Sequence, residues 1–109
     1  MLQMENRHKK IVYQILAKYS YQFYAYGSRV KGTARKFSDL DLCYQEDIPL
    51  NVVSHIHEDF EESDLPFKVD LVFWGWMGSE FKEIIERDMF WFRKKFFLWS
   101  LIVKDFKEI

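Results

Sequence analysis

The spacing of hydrophobic residues changes period several times along this chain, and each change marks an element. Across residues 1–20, Ile11, Ile15, Leu16 and Tyr19 recur at helical intervals among charged residues, which predicts an amphipathic first helix. Gln22 to Tyr26 is a short aromatic run that reads as a strand and stops at Gly27-Ser28. Arg29 to Arg35 then suits a short helix, with Gly32 predicted to relieve crowding where that helix meets the sheet. Ser38 to Tyr44 alternates, so Asp39 and Asp41 are predicted on one strand face and Leu40 and Leu42 on the other. Leu50 to Glu62 returns to helical spacing behind Pro49, Ser63-Asp64-Leu65-Pro66 forms a link, and Lys68 to Trp74 reads as a third, largely apolar strand. Gly75 and Gly78 bracket a loop, and Ser79 to Asp88 forms the last core helix. The order helix, strand, short helix, strand, helix, strand, helix predicts an α/β or α+β fold, a small mixed sheet covered by helices.

Composition narrows this picture. With 109 residues, 49% of them hydrophobic and 19% aromatic, the chain can bury one core but not two. That core is expected to be nearly closed by residue 88, yet Met89-Phe90-Trp91-Phe92 and the stretch 96–103 are apolar almost all round, broken by Arg93, Lys94 and Lys95. Residues 89–109 are therefore expected to form an interface with a partner or a second copy; packing on the chain's own sheet and a membrane-surface helix are the alternatives. No apolar stretch reaches the roughly 20 residues that span a bilayer. Arg7, Lys9, Lys10 and Lys18 rule out a secretory leader in residues 1–20. Cys43 is the only cysteine, so an intrachain disulfide is impossible, and a reducing, cytoplasmic setting is expected.

The net charge of −1 gives no general drive toward nucleic acid or membrane, but its distribution is uneven. Residues 1–38 hold eight Lys/Arg against one acid, and residues 39–70 hold ten Asp/Glu against one lysine. Arg29, Lys31, Arg35 and Lys36 surround the Gly-Ser turn, where they can attract a triphosphate or an acidic partner surface, or simply form a solvated face. His55 and His57 stand two apart, a spacing that splays the rings on a helix and argues against a metal pair.

The candidate chemistry lies in three carboxylates and one turn. Asp39 and Asp41 repel on a shared face, and Asp70 falls inside the apolar run Val69 to Trp74, where an acid wants a specific partner. A divalent cation removes that penalty. Gly27 lets the backbone approach a phosphate, and the Ser28 hydroxyl can bond a phosphate oxygen. Alone, an Asp-x-Asp is ordinarily a solvated strand face. Spacing, strand context and a third acid together point to metal-dependent nucleotidyl transfer.

Residues 27–42, Gly-Ser-Arg-Val-Lys-Gly-Thr-Ala-Arg-Lys-Phe-Ser-Asp-Leu-Asp-Leu, resemble the signature of the minimal nucleotidyltransferases, small members of the DNA polymerase beta superfamily. Residues 62–71, Glu-Ser-Asp-Leu-Pro-Phe-Lys-Val-Asp-Leu, are similar to the segment bearing that family's third carboxylate, and the likeness covers roughly residues 10–88. The resemblance implies a nucleotidyltransferase fold over residues 1–88. It also implies Mg2+ at Asp39, Asp41 and Asp70, and ATP held by Gly27 and Ser28 with Arg29 and Ser38. Many such proteins are encoded beside a helical HEPN protein and act as antitoxins, some by transferring AMP to a tyrosine of that partner. Two readings follow: an active nucleotidyltransferase in which Asp70 serves as base or metal ligand, and a binding antitoxin that masks a HEPN partner by contact. Protein tyrosine, RNA end and small-molecule hydroxyl remain open as acceptors.

Overall fold

The computed structural model describes residues 2–92. Along them run α1 (Asn6–Leu16), β1 (Phe23–Tyr26), α2 (Ser28–Lys31), β2 (Leu40–Tyr44), α3 (Leu50–Glu61) and β3 (Val69–Phe73). A 3-10 turn (Trp74–Trp76), α4 (Ser79–Asp88) and β4 (Phe90–Phe92) follow. The four strands form one sheet in the order β3-β2-β1-β4. β2 and β3 are parallel, joined by the α3 crossover, while β1 is antiparallel to both β2 and β4. This is the mixed α+β sheet that the sequence pattern predicts.

Alternation gives the sheet two distinct faces. On one, Phe23, Ala25, Leu40, Leu42, Tyr44 and Phe92 meet Val12, Ile15 and Leu16 of α1 and Ile56 and Phe60 of α3 in the core. The pairings Tyr24 with Cys43 and Trp91, Tyr26 with Asp41, and Asp41 with Asp70 place the polar and aromatic remainder on the other. Phe81 of α4 meets Tyr26 edge-on on that second face, which carries the acidic residues.

Four expectations change. α2 is a single turn that ends at Gly32, whose φ of 81° and empty surroundings show a left-handed cap rather than relief of crowding. Asp39 lies just before β2 rather than within it. Among the described residues β3 is an edge strand, so Asp70 is exposed and needs no buried partner. Finally, the core does not close at residue 88. Phe90–Phe92 pair with β1, and Phe92 is fully buried. Without β4, the outer side of β1 would present unpaired backbone groups and leave Phe23 partly uncovered. The rest of the expected interface, residues 93–109, lies outside the described residues.

Candidate active site

The site begins where β1 turns into α2. Gly27 has φ 80° and ψ −154°, a conformation that residues with a Cβ avoid. A Cβ built there would also stand 2.6 Å from Asp41 Oδ2. The glycine thus admits both the sharp turn and the carboxylate, and it delivers half-buried Ser28 beside them.

Strand register supplies the next step. Asp41 is paired with Tyr26 on one side and with Asp70 on the other, so the three form a row across the face opposite α1 and α3. Neighbouring strands lie about 4.8 Å apart, close enough for the two carboxylates to feel each other strongly. Burial pushes the Asp41 carboxyl above its usual range, and the charges of Asp70 and Asp39 push it further. Burial, then Asp41, Cys43 and Asp70, push the Tyr26 hydroxyl up to about 12, so it stays protonated beside the acids. Cys43 follows on the same face, fully buried, with its thiol pushed by burial up to about 12 and therefore unreactive.

Hard oxygen donors and mutual repulsion fit a magnesium-class cation. Among the described residues, no three His, Cys, Asp or Glu side chains converge tightly enough to hold a metal ion by themselves. Phosphate oxygens and water would complete the coordination, as magnesium commonly requires. On the far side of Asp70 a cleft of about 490 Å³ opens between α3 and the β3 edge, with His57, Glu61 and Lys68 among its walls.

Not every expected residue faces this row. Exposed Asp39 sits at its rim, carried by the loop that precedes β2. Arg29, expected at the nucleotide, is only 4% exposed, and its guanidinium is engaged elsewhere. Nε donates to the Ser38 carbonyl at 2.9 Å, Nη1 to that of Gln3 at 3.0 Å, and Nη2 to those of Lys36 at 3.2 Å and Arg35 at 3.5 Å. The Phe67 ring lies 3.9 Å from the guanidinium carbon. Burial lowers the Arg29 pKa from its ordinary range, and nearby Asp39 opposes that shift. Ser38 is likewise committed locally, its Oγ accepting the Arg35 amide at 2.8 Å. Lys31, Arg35 and Lys36 are exposed around the turn. Tyr26, Gln3 and Phe67 had no signal as site residues; only the Tyr24/Tyr26 alternation hinted that Tyr26 shares a face with Asp41.

Comparison with known proteins finds relatives in sequence and in fold. A family profile described as a nucleotidyltransferase domain matches residues 5–104. The "Probable protein adenylyltransferase MntA" of Haemophilus influenzae is 43% identical over 81 residues, which span 72% of this chain and 69% of that protein. Two crystal structures share the fold. One, a toxin-antitoxin with AMP-PNP, has a TM-score of 0.61 at 16% identity, covering 96% of this chain and 86% of that one. The other, a mutant MntA-HpeT toxin-antitoxin, has a TM-score of 0.59 at 17% identity, covering 97% and 85%.

Proposed function

Since the chain belongs to the nucleotidyltransferase-domain family, as a minimal member and a nucleotidyltransferase, we propose that it moves AMP from ATP to a hydroxyl of a partner protein. The observation that carries this reading is Asp41 beside Asp70 across the β2–β3 pair, with Gly27 pressed against the Asp41 carboxylate. A protein acceptor is favoured because the Haemophilus relative is named a protein adenylyltransferase, and the structural neighbours are toxin-antitoxin pairs. The partner we propose is a helical HEPN-type toxin, with this chain as its antitoxin.

In this reading Asp39 and Asp41 would hold magnesium, with Asp70 alongside as base or third ligand. Bound there, the cation supplies charge neutralisation along the triphosphate. Gly27 lets the phosphates approach the backbone, and the Ser28 hydroxyl donates to a phosphate oxygen. Exposed Asp70, at the cleft wall, takes the proton of the incoming hydroxyl. The acceptor oxygen bonds to the α-phosphorus while the bond to the bridging oxygen breaks, and pyrophosphate leaves with that electron pair. Alignment on rigid strands supplies much of the rate.

The test is incubation with α-labelled ATP and magnesium, with and without a helical HEPN-type protein as the proposed partner. Label should pass to that protein and be lost with a chelator. Capture of the partner without label transfer would replace this reading with the contact-only antitoxin; neither capture nor transfer would end both.

A further inference from the structure

We infer that Arg29 is the positioning residue of this site: its buried guanidinium holds the segments bearing Asp39 and Asp70 in register with the Gly27-Ser28 turn, without touching substrate. The inference rests on the function proposed above. Three segments meet at this side chain. Arg29 directly follows Ser28, so its backbone belongs to the turn. Its Nε holds the Ser38 carbonyl, one residue before Asp39, and its Nη2 gathers the carbonyls of Arg35 and Lys36 behind it. Phe67, the ring under the guanidinium, lies three residues before Asp70, and the adjoining Lys68 carbonyl accepts the Leu40 amide at 2.9 Å where β2 and β3 begin to pair.

The N-terminal arm packs against this hub, beside a cleft of about 240 Å³ that Gln3, Arg29 and Arg35 help to line. The Gln3 carbonyl accepts from Arg29 Nη1 at 3.0 Å, and the Gln3 amide donates to the Arg29 carbonyl at 2.6 Å. The Gln3 side chain exchanges two hydrogen bonds with the Ala34 backbone, at 3.2 and 3.0 Å. Residues 33–38 have no regular secondary structure. The Ser38 amide closes a turn on the Arg35 carbonyl at 3.1 Å, and Arg29 ties that turn, with the Ser38 carbonyl beside Asp39, to the Gly27-Ser28 segment.

Residue chemistry explains why arginine serves here. Burying a cation is costly unless it is fully hydrogen-bonded, and an apolar residue would fill the same space more cheaply. A guanidinium offers five donors in a rigid plane and a flat face for an aromatic ring, which matches four carbonyls around Phe67. Lysine keeps the charge but has three donors at one point. Arg29→Lys therefore keeps the burial and loosens the geometry, and a misplacement of about 1 Å costs on the order of a hundredfold in rate.

The experiment compares wild type with Arg29→Lys, Arg29→Ala and Phe67→Leu in the full chain. It measures transfer kinetics against magnesium concentration, Mn2+ binding by electron paramagnetic resonance, and metal-free affinity for a non-hydrolysable ATP analogue. Arg29→Lys should remain folded by circular dichroism and bind the analogue within about twofold of wild type. Its half-saturating metal concentration should rise, and its kcat fall, by about tenfold to a hundredfold. Millimolar guanidinium should partly restore Arg29→Ala, and ammonium should not. Wild-type metal dependence in folded Arg29→Lys overturns the inference, as does analogue affinity that falls as far as kcat, because Arg29 would then touch the nucleotide. Should both Arg29 variants unfold, Phe67→Leu decides: a weakened metal response sustains the clamp, and a wild-type response removes it. A wild-type chain that neither binds Mn2+ nor transfers label would instead refute the proposed function, and this inference with it.

Discussion

At Asp41, burial and two neighbouring carboxylates all oppose ionisation. Removing one of the charges should therefore leave the metal-free protein as stable as before, or slightly more so, while crippling the site. Asp39→Asn and Asp41→Asn are each expected to abolish magnesium-dependent transfer with unchanged circular dichroism; wild-type rates at saturating magnesium would remove the metal assignment. Asp70 occupies the adjoining strand at the exposed rim and differs in what its loss should affect. Asp70→Asn should lower kcat far more than nucleotide affinity, which titration with a non-hydrolysable analogue measures separately. The two glycines of the signature separate in the same way. Gly27→Ala meets Asp41 Oδ2 at 2.6 Å in a backbone region closed to alanine, so it should cost about 1–3 kcal/mol and eliminate activity. Gly32→Ala has open space around it and only a left-handed φ to strain, so it should cost about 1–2 kcal/mol and keep activity, as chemical denaturation and label transfer would show. The glycine-serine turn was legible in the chain. The reason for Gly32 was not, because spacing cannot distinguish a steric need from a dihedral one.

Between elements, the clearest tie joins the end of α1 to α3. The Tyr19 hydroxyl donates to the Asp59 carboxylate, which also lies 3.5 Å from Lys18 Nζ. The Lys18 ammonium is exposed, so that pair contributes little. Tyr19 is the more informative member, because burial and then Asp59 push its hydroxyl up to about 12 from 10.0. The folded pKa exceeds the unfolded one, so its stabilisation is complete below pH 10 and is lost as pH rises toward 12. Unfolding free energies measured across that window should fall more steeply in wild type than in Tyr19→Phe; equal slopes would show that the link contributes nothing. Element type was readable wherever periodicity was strong, as in α3 and β2. Boundaries drifted where polar residues continued the pattern without a ladder to join, as at Ser38 and Asp39.

On the scale of the whole molecule, β4 makes residues 90–92 part of the fold rather than an accessory. Phe92 is fully buried and touches the ring of Tyr13 edge-on, with centroids 5.3 Å apart. Phe92→Ala should cost about 3–5 kcal/mol, read as a lowered denaturation midpoint with an unchanged slope. A midpoint unmoved by the change would return residues 90–92 to the role of a dispensable surface. The sequence by itself determined the elements before β4, their order, the alternation that sets Asp41 opposite Leu40 and Leu42, and the turn at Gly27-Ser28, since each is a local matter of period, propensity and backbone freedom. Tertiary structure alone decided that Asp70 stands beside Asp41 on an edge strand, that Tyr26 completes their row, and that Arg29 faces inward to backbone carbonyls. Those outcomes depend on strand order and on which buried groups need hydrogen-bond partners, and both arise from contacts between residues far apart in the chain.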